Sequence, residues 1–331
     1  MPDLKGGVTV RQPTLMQEQE SQRHQAFMER IEAGHKIEAD DWMPEDYRQA
    51  LIRLITMHGI SEIMGALPEK EWVPRAPTLR RKLAIMAKVQ DEMGHGQLLL
   101  RVAEDLLRPY GKGRAEIMED LFTGRLKFHN VFHMPAPTWG DAGVIAWLVD
   151  GAAIITQRMM LDCSYAPYAR ALHRICAEEV FHAQHGESII LTLAEGEPAQ
   201  RQMLQEALSR WWVSLLMFFG PSPQVGAGHV DRNLAYRIRS KTNEELRQEF
   251  FHKYVPAIQA LGLTIPDPTL RYVEAEGRWQ YQEPDWEVFS QIINNQGPCS
   301  QERLSLRRES YEAQAWVREA LAISTRGGGP S

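Results

Sequence analysis

The chain has 331 residues, of which 44% are hydrophobic and 24% are charged, and its net charge is −6. This composition is typical of a globular protein with a sizeable core, and it excludes a disordered or fibrous chain. The negative charge also argues against a nucleic-acid groove, which needs an excess of Lys and Arg.

Helical periodicity dominates the chain, with apolar residues recurring at three- and four-residue spacing. Flexible tails are predicted at 1–20 and 326–331. One helical domain is predicted between them over 21–325. Its bundle core covers about 45–220, and a C-terminal extension covers about 221–325.

Pro, Gly and capping residues divide this domain into successive elements. Helices are predicted at 43–67, 76–107, 138–163, 166–196, 198–219, 242–262, 283–295 and 300–323. We expect the first helix to end at Pro68 and the next ten residues to form an extended connector. A Gly/Pro-rich loop is predicted at 220–230, and the alternation around a Glu-Gly turn in 270–283 predicts a small β-hairpin.

Two of the predicted long helices carry the same short motif. "VQDEMGHGQLL" places Glu92 three residues before His95, and "CAEEVFHAQHG" places Glu179 three residues before His182. An i, i+3 spacing puts both side chains on one face of a helix. The motif alone is weak evidence, because Glu-x-x-His also occurs at Glu32/His35 and Glu249/His252.

A second acidic residue separates the first two pairs from the others. Glu62 lies 30 residues before Glu92 in the otherwise apolar "ISEIMGAL", and Asp150 lies 29 residues before Glu179 in "AWLVDGAAII". A carboxylate in an apolar segment is costly to bury unless it is paired or binds a metal. Ferritin-like dinuclear metal proteins take one carboxylate from each of two helices and Glu-x-x-His from two more.

This pattern predicts an all-α fold, a ferritin-like four-helix bundle with additional C-terminal helices and the small hairpin. The predicted metal ligands, which are also the predicted catalytic residues, are Glu62, Glu92, His95, Asp150, Glu179 and His182. A nitrogen and oxygen ligand set without thiolates favours iron or manganese over structural zinc. Asp91 and Glu178 precede the two glutamates and are predicted to accept hydrogen bonds from the opposite histidines. A role as ordinary solvated acids is the alternative for both.

Neither the cysteines nor the N-terminus indicates export. Cys163, Cys176 and Cys299 are widely spaced, which disfavours an iron–sulfur cluster, a zinc ribbon or a disulfide framework. The N-terminal segment has no apolar core of the kind found in signal peptides. The longest strongly apolar run, near "WWVSLLMFFG", is shorter than the ~20 residues of a membrane span. We therefore expect a cytoplasmic protein that is not inserted in a membrane.

Longer segments carry a family resemblance. They are "DWMPEDYR", "RAPTLRRK", "AKVQDEMGHG", "GVIAWLVDGAA", "SYAPYARA", "TNEELRQ", "SQERLS" and "WVREA". Over nearly its full length the chain resembles the catalytic components of ring-1,2-phenylacetyl-CoA epoxidases, a family of bacterial multicomponent di-iron monooxygenases. The resemblance implies two iron ions, O2 as co-substrate, and insertion of one oxygen atom across the aromatic ring of phenylacetyl-CoA.

The resemblance also implies partners. These are a structurally related, ferritin-like but non-catalytic component, a small bridging component, and a reductase that carries FAD and an iron–sulfur cluster and takes electrons from NADPH. The sequence agrees, because it contains no dinucleotide fingerprint and no cysteine cluster that would let the chain collect these electrons itself.

Coenzyme A contacts follow from the resemblance, since its phosphates need cations. The implied substrate-binding residues are Arg53, Met57, Lys127, Phe128, His129, Asn130, Met217 and Arg239. Two alternatives stay open. One is an epoxidase of another aryl-CoA such as benzoyl-CoA, and the other is a non-catalytic scaffold within such a complex.

Overall fold

The structure, a computed structural model, describes residues 15–222 and 231–326. The helices are α1 Leu15–Glu32, α2 Glu45–Lys70, α3 Trp72–Arg75, α4 Leu79–Leu107, α5 Arg114–Phe122, α6 Trp139–Val144, α7 Asp150–Arg158, α8 Ala166–Ala194, α9 Pro198–Phe218, α10 Arg232–Ala235, α11 Asn243–Ala260, α12 Trp286–Gln291, α13 Ser300–Ala313 and α14 Ala315–Arg326. The strands are β1 Arg271–Val273 and β2 Arg278–Gln280, and they pair antiparallel. Short 3-10 helices cover Arg108–Tyr110 and Asn130–His133, and π-helical turns cover Ile145–Val149 and Ile292–Gln296.

Two antiparallel helical hairpins form the bundle. In the first, α2 packs along α4, so that Gly59 lies against Leu99 and Glu69 lies against Lys88. In the second, α6, the π turn and α7 together pack along α8. A crossover that contains α5 joins the hairpins, and α4 contacts α8 across the bundle. The predicted all-α, ferritin-like class with a small hairpin is confirmed.

Threonine side chains start several of the helices. Thr78 accepts a hydrogen bond from the Arg81 amide at the start of α4. Thr138, one of the two predicted caps of the third helix, accepts from the Asp141 amide while the Asp141 carboxylate accepts from the Thr138 amide. Such caps satisfy amides that lack a partner inside the helix.

Two large apolar clusters flank the bundle centre. One joins α1, α2, α4 and the first half of α8, with Tyr47 and Leu51 among its fully buried members. The other joins α7, the second half of α8, α9 and α11, with Trp211 and Phe250 fully buried. The helices that carry the predicted ligands lie between these clusters and are fixed from both sides.

The predicted end of the first helix at Pro68 is wrong. The α2 helix continues through Pro68 to Lys70, and α3 follows within the segment predicted to be an extended connector. A proline inside a helix removes one backbone hydrogen bond. Burial of Glu69 and Trp72, with a hydrogen bond from Lys88 to Glu69, offsets this loss.

Three other boundaries also differ from prediction. Residues 15–20, predicted to be part of a tail, form the start of α1, whose later residues Phe27 and Ile31 anchor it in the core. The exposed first turns of α1 carry no apolar periodicity, and therefore no sequence pattern predicts them. The helix predicted at 138–163 contains a π turn and ends at Arg158, and the helix predicted at 300–323 is interrupted at Gln314. Most of the loop predicted at 220–230 and residues 327–331 lie outside the described residues.

Within the part of the chain that the structure describes, two helical stretches are long and apolar enough to cross a membrane by composition. They are Glu45–Arg75 and Trp139–Arg158, and 78% of the most apolar window of each is buried inside the bundle. Both stretches contain predicted metal ligands and lie in the centre of the bundle, and their apolar side chains form part of its core.

Candidate metal centre

Four helical segments bring the six predicted ligands together in the middle of the bundle. One carboxylate comes from α2, one from the first residue of α7, and a Glu-x-x-His pair comes from each of α4 and α8. All six side chains are buried, although four of them are acids. Buried acids are stable only with partners, so their convergence indicates a site for a cation.

The six residues form two overlapping groups. The groups are Glu62, Glu92, His95 and Glu179, and Glu92, Asp150, Glu179 and His182. In each group, one ligand atom of every residue lies within 4.8 Å of the others. Glu92 and Glu179 belong to both groups, which is the arrangement expected of carboxylates that bridge two metal ions.

Both histidines direct Nδ1 into the groups. His95 Nδ1 lies 3.4 Å from Glu179 Oε1, and His182 Nδ1 lies 3.2 Å from Glu179 Oε2. The buried Nδ1 of His95 has no hydrogen-bond partner. A buried nitrogen without a partner is costly, and coordination to a metal ion would satisfy it. The residues therefore fit a metal.

The outer nitrogens of the same rings face carboxylates. His95 Nε2 lies 2.8 Å from Glu178 Oε2, and His182 Nε2 lies 3.2 Å from Asp91 Oδ2. Each acid comes from the helix that does not carry its histidine, as the sequence predicted. This contact orients the ring and leaves Nδ1 free to act as a ligand.

The crowding of carboxylates alters their pKa values. Burial raises the pKa of Asp150 to about 7. Burial and the neighbouring carboxylates raise the pKa of Glu92 well above its usual range. Burial also acts to raise the pKa of Glu62, but the hydrogen bond with His58 and the proximity of the His95 ring hold it well below its usual range. A bound cation would relieve the repulsion behind these shifts.

A buried lysine that was not predicted from the sequence lies beside Asp150. Lys88 Nζ is 2.9 Å from Glu92 Oε1, 3.2 Å from Asp150 Oδ2 and 2.5 Å from Glu69 Oε2. Burial lowers the pKa of Lys88, but these carboxylates raise it well above its usual value. The only local signal was the i, i+4 spacing of Lys88 and Glu92, which is also common on exposed helix faces.

A buried histidine, also not predicted, supports Glu62. His58 Nε2 lies 2.8 Å from Glu62 Oε1, and its Nδ1 lies 2.9 Å from the Tyr168 hydroxyl. Gln157 Nε2 lies 3.3 Å from the same His58 Nε2. These residues come from three helices, and no sequence pattern indicates that they meet.

The π turn Ile145–Val149 ends directly before Asp150. A Cβ atom at Gly186 would lie 2.3 Å from the backbone of Ala146 within this turn. Only glycine allows α8 to approach the turn so closely. The close contact fixes the depth of Asp150 relative to the Glu179 and His182 pair.

A cavity of about 320 Å³ leads from the candidate metal site along the bundle. Near the ligands its wall includes small residues one turn beyond the terminal acids, Gly65 and Ala153. The ring of Phe132 packs on Gly65, where a Cβ atom would lie 2.8 Å from it. The lining also includes the cations Lys127 and Arg239, and Arg239 forms an ion pair with Asp231. The cavity wall thus combines apolar side chains with positively charged ones.

Most of the predicted substrate contacts line this cavity. They are Met57, Lys127, Phe128, His129, Asn130 and Arg239. The other two predicted contacts, Arg53 and Met217, are not among its lining residues. Arg53 is exposed on α2, and Met217 is buried in the core around α9.

The other two Glu-x-x-His pairs take no part in either group. Glu32 and His35 are exposed, and Glu249 forms an ion pair with Lys241 while His252 is also exposed. Neither pair is preceded by an acidic residue about 30 positions earlier in an apolar segment, which is the criterion that separated them in the sequence.

Comparison with known proteins agrees with this geometry. A family model described as phenylacetic acid catabolic protein matches residues 16–316, a range that contains all six residues of the two groups. The chain is also similar to one of the subunits of 1,2-phenylacetyl-CoA epoxidase from Escherichia coli (strain K12), the one designated A. The two are 46% identical over 298 residues, which cover 90% of this chain and 95% of that protein. These matches confirm the resemblance seen in the sequence motifs.

Proposed function

The chain belongs to the family of phenylacetic acid catabolic proteins, and on this basis we propose that it is the catalytic oxygenase component of a phenylacetyl-CoA epoxidase. The proposed reaction consumes phenylacetyl-CoA, O2, two electrons and two protons. One oxygen atom enters the ring to give ring-1,2-epoxyphenylacetyl-CoA, and the other leaves as water. The observation that carries the proposal is the pair of ligand groups that share Glu92 and Glu179 beside a cavity.

The six residues of the two groups would hold two iron ions, because the donors are four carboxylates and two imidazoles without a thiolate. Two iron ions bound there supply the reductive activation of O2. Glu178 and Asp91 keep the His95 and His182 rings in the orientation that directs Nδ1 inward.

The cavity supports an aryl-CoA substrate. The small side chain of Ala153, one turn after Asp150, leaves room for an uncharged ring beside the ligands. Lys127 and Arg239 also line the cavity, and such cations can bind the phosphates of coenzyme A. Asn130 donates to the Ser214 carbonyl oxygen and His129 stacks on Phe218, so this part of the cavity wall is fixed.

Electrons must come from a partner, because the sequence contains neither a dinucleotide fingerprint nor a cysteine cluster. The proposed partners are the ferritin-like non-catalytic component, the small bridging component, and a reductase that carries FAD and an iron–sulfur cluster and oxidises NADPH. The name of the E. coli relative, which describes it as one subunit of an epoxidase, supports a multicomponent assembly. A cytoplasmic location is part of the same proposal.

The test is reconstitution of the chain with its partner components under ¹⁸O2, with phenylacetyl-CoA and NADPH. The expected product contains one ¹⁸O atom, and its formation requires about two metal ions per chain. Glu249→Ala, which alters a Glu-x-x-His pair outside the groups, is the matched control and keeps full activity. A product without ¹⁸O, or faster turnover of benzoyl-CoA, would contradict the proposal. If Glu62→Ala keeps both its metal content and the activity of the complex, the chain has a scaffold role instead.

A further inference from the structure

The crossover between the two hairpins brings an aromatic ring next to the candidate metal site. Gly65 lies three residues after the terminal acid Glu62, and it lines the 320 Å³ cavity. The ring of Phe132, which also lines the cavity, occupies the place of the side chain that α2 lacks at Gly65. The cavity wall on the Glu62 side is therefore completed by a residue that belongs to none of the ligand helices.

The start of α13 holds the backbone on both sides of this ring. Arg303 donates hydrogen bonds to the carbonyl oxygens of Phe132 and Met134, the second at 2.6 Å. The amide of Cys299, directly before α13, donates to the carbonyl oxygen of His133 at 2.9 Å. Three consecutive carbonyl groups are thus bound to one end of one helix, which fixes the position and direction of the Phe132 backbone.

The buried side chain of His133 attaches the same turn to α13 a second time. Its Nδ1 lies 2.6 Å from Ser300 Oγ, and its ring stacks on Phe128 with the ring centroids 3.9 Å apart. A Cβ atom at Gly297 would lie 2.6 Å from the Cβ atom of His133, so only glycine allows this close approach. The turn and the start of α13 therefore form a packed contact rather than a single hydrogen bond.

The α13 helix also contacts α2 directly. Arg307 Nη2 donates to the carbonyl oxygen of Ile63 at 2.9 Å, and Ile63 directly follows Glu62. One helix of the C-terminal extension thus binds the backbone of both elements that meet at Gly65. It thereby sets how the Phe132 ring lies relative to the candidate ligand Glu62.

The contacts of Arg303 suit an orienting role. Its side chain is buried, and burial lowers its pKa. In the part of the chain that the structure describes, no carboxylate oxygen lies within 4.0 Å of its guanidinium nitrogens. Carbonyl oxygens alone repay the burial of a charge incompletely. The guanidinium nevertheless spans two carbonyl groups of the turn, a geometry that a single-point donor cannot reproduce.

We propose that Phe132 determines which acyl groups of coenzyme A esters fit beside the candidate ligands, and that Arg303 is the positioning residue for its ring. This inference rests on the proposed function, in which an aromatic ring is oxidised beside these ligands. Aromatic rings attract each other edge to face or in offset stacks, so Phe132 favours a substrate ring. Because α13 fixes its backbone, the Phe132 ring also limits the size of the groups that this ring can carry.

The experiment compares acetyl-CoA, phenylacetyl-CoA and 4-ethylphenylacetyl-CoA. Their dissociation constants are measured by calorimetry with the metal-free full chain assembled with its partner components. The kcat/KM values of the two aryl esters are measured with the iron-loaded complex. The variants are Phe132→Ala, Phe132→Leu, Arg303→Gln and Arg303→Lys. Arg308→Gln is the matched control, because Arg308 on the same helix donates to a crossover carbonyl outside this turn, that of Phe122.

We expect Phe132→Ala to bind phenylacetyl-CoA about tenfold more weakly than wild type does and to bind acetyl-CoA equally well, because only the contact with the ring is lost. The kcat/KM for 4-ethylphenylacetyl-CoA relative to that for phenylacetyl-CoA should rise about tenfold or more. Phe132→Leu should raise this ratio by a smaller factor. Arg303→Gln should also raise it, Arg303→Lys should bring it back towards the wild-type value, and Arg308→Gln should leave it unchanged.

An unchanged ratio in both Phe132 variants would overturn the role of Phe132. Phe132→Leu and Arg303→Lys keep the apolar or positive side chain, so they provide the test if the other variants do not fold. Urea unfolding separates positioning from support of the fold. Arg303 variants that lose stability but keep the wild-type ratio, or an equal change of the ratio in Arg308→Gln, would overturn the role of Arg303.

Failure of the proposed function has a different signature. The wild-type complex would then form no epoxide from either aryl ester. The three dissociation constants would still show whether Phe132 and Arg303 select the acyl group, because they are measured without metal and without turnover.

Discussion

The two halves of the candidate centre have matching ligands but different support. In one half, Glu62 is held by His58, which is in turn bound to the Tyr168 hydroxyl. In the other half, Asp150 lies 3.2 Å from the Lys88 ammonium, which also contacts Glu69. A hydrogen-bonded imidazole thus supports one terminal acid, and an ion-pair cluster supports the other.

This difference gives the two terminal acids opposite pKa shifts. The pKa of Asp150 is raised to about 7 by burial, whereas His58 and His95 hold the pKa of Glu62 well below its usual range against the effect of burial. Repetition of a ligand motif therefore does not produce two equivalent sites. The residues behind the ligands decide how each half responds to pH and to substitution.

The largest effect is expected from Glu92→Ala, because Glu92 belongs to both halves. Removal of a shared ligand should abolish metal binding at both sites and lower turnover by at least about a hundredfold. This effect is larger than the effect of removing a residue that only orients a ligand. The fold should survive, since Lys88 keeps Glu69 and Asp150 as partners. Metal analysis, circular dichroism and turnover test this. Activity with unchanged metal content would show that Glu92 is not a bridging ligand.

Lys88→Met should damage mainly the Asp150 half. Removing the cation leaves Glu69 buried without its partner, and breaking a buried ion pair typically costs about 3–5 kcal/mol of unfolding free energy. Urea unfolding of the metal-free protein measures this loss, with Lys88→Arg as the control that keeps the charge. Wild-type stability in Lys88→Met would show that the cluster does not support this half.

His58→Phe should affect the Glu62 half alone. Loss of a side chain that orients a metal ligand typically lowers metal affinity about ten- to hundredfold. Stepwise metal titration should show one weakened site and one unchanged site. Tyr168→Phe, which keeps the contact between His58 and Glu62, should have a smaller effect. Equal weakening of both sites would contradict the separate support of the two halves.

The pH dependence of stability should have opposite signs for the two terminal acids in metal-free protein. The pKa of Asp150 is higher in the folded chain than its ordinary value of 3.8, so ionisation of Asp150 destabilises the fold as pH rises from about 4 to 7. The pKa of Glu62 is lowered on folding, so its contribution to stability is present above its ordinary pKa of 4.5 and is lost as pH falls below it.

Urea unfolding at pH 4.5 and pH 7 tests this difference, with Asp150→Asn and Glu62→Gln as the paired variants. Relative to wild type, Asp150→Asn should gain about 3 kcal/mol between the two pH values, and Glu62→Gln should lose a smaller amount. If the unfolding free energy of both variants changes with the same sign relative to wild type, the two halves do not differ in their electrostatics.

The spacing of residues along the sequence was enough to predict the bundle and the six residues that converge at its centre. Apolar spacing predicted the long helices, and the offsets of 30 and 29 residues selected two Glu-x-x-His pairs out of four. Those offsets work because a hairpin of two long helices returns the chain to the same depth. Asp91 and Glu178 followed from their position directly before the two glutamates.

The features that were missed depend on tertiary contacts. Lys88 looks like any lysine on a charged helix until Glu69 and Asp150 surround it. His58 lies four residues before Glu62, but the contacts that fix its ring come from residues more than 90 positions away in sequence, Gln157 and Tyr168. The continuation of α2 through Pro68 likewise depends on burial of the residues that follow it.

Because of the π turn Ile145–Val149, the geometry of the site depends on the number of residues between Asp141 and Asp150. A π turn amounts to one extra residue in an α-helix, and one residue corresponds to about 100° of rotation about the axis. The α6 and α7 segments can therefore keep different registers, with Asp141 bonded to Arg210 on one side and Asp150 among the ligands on the other. A single-residue deletion here would misdirect one of these acids without changing the identity of either.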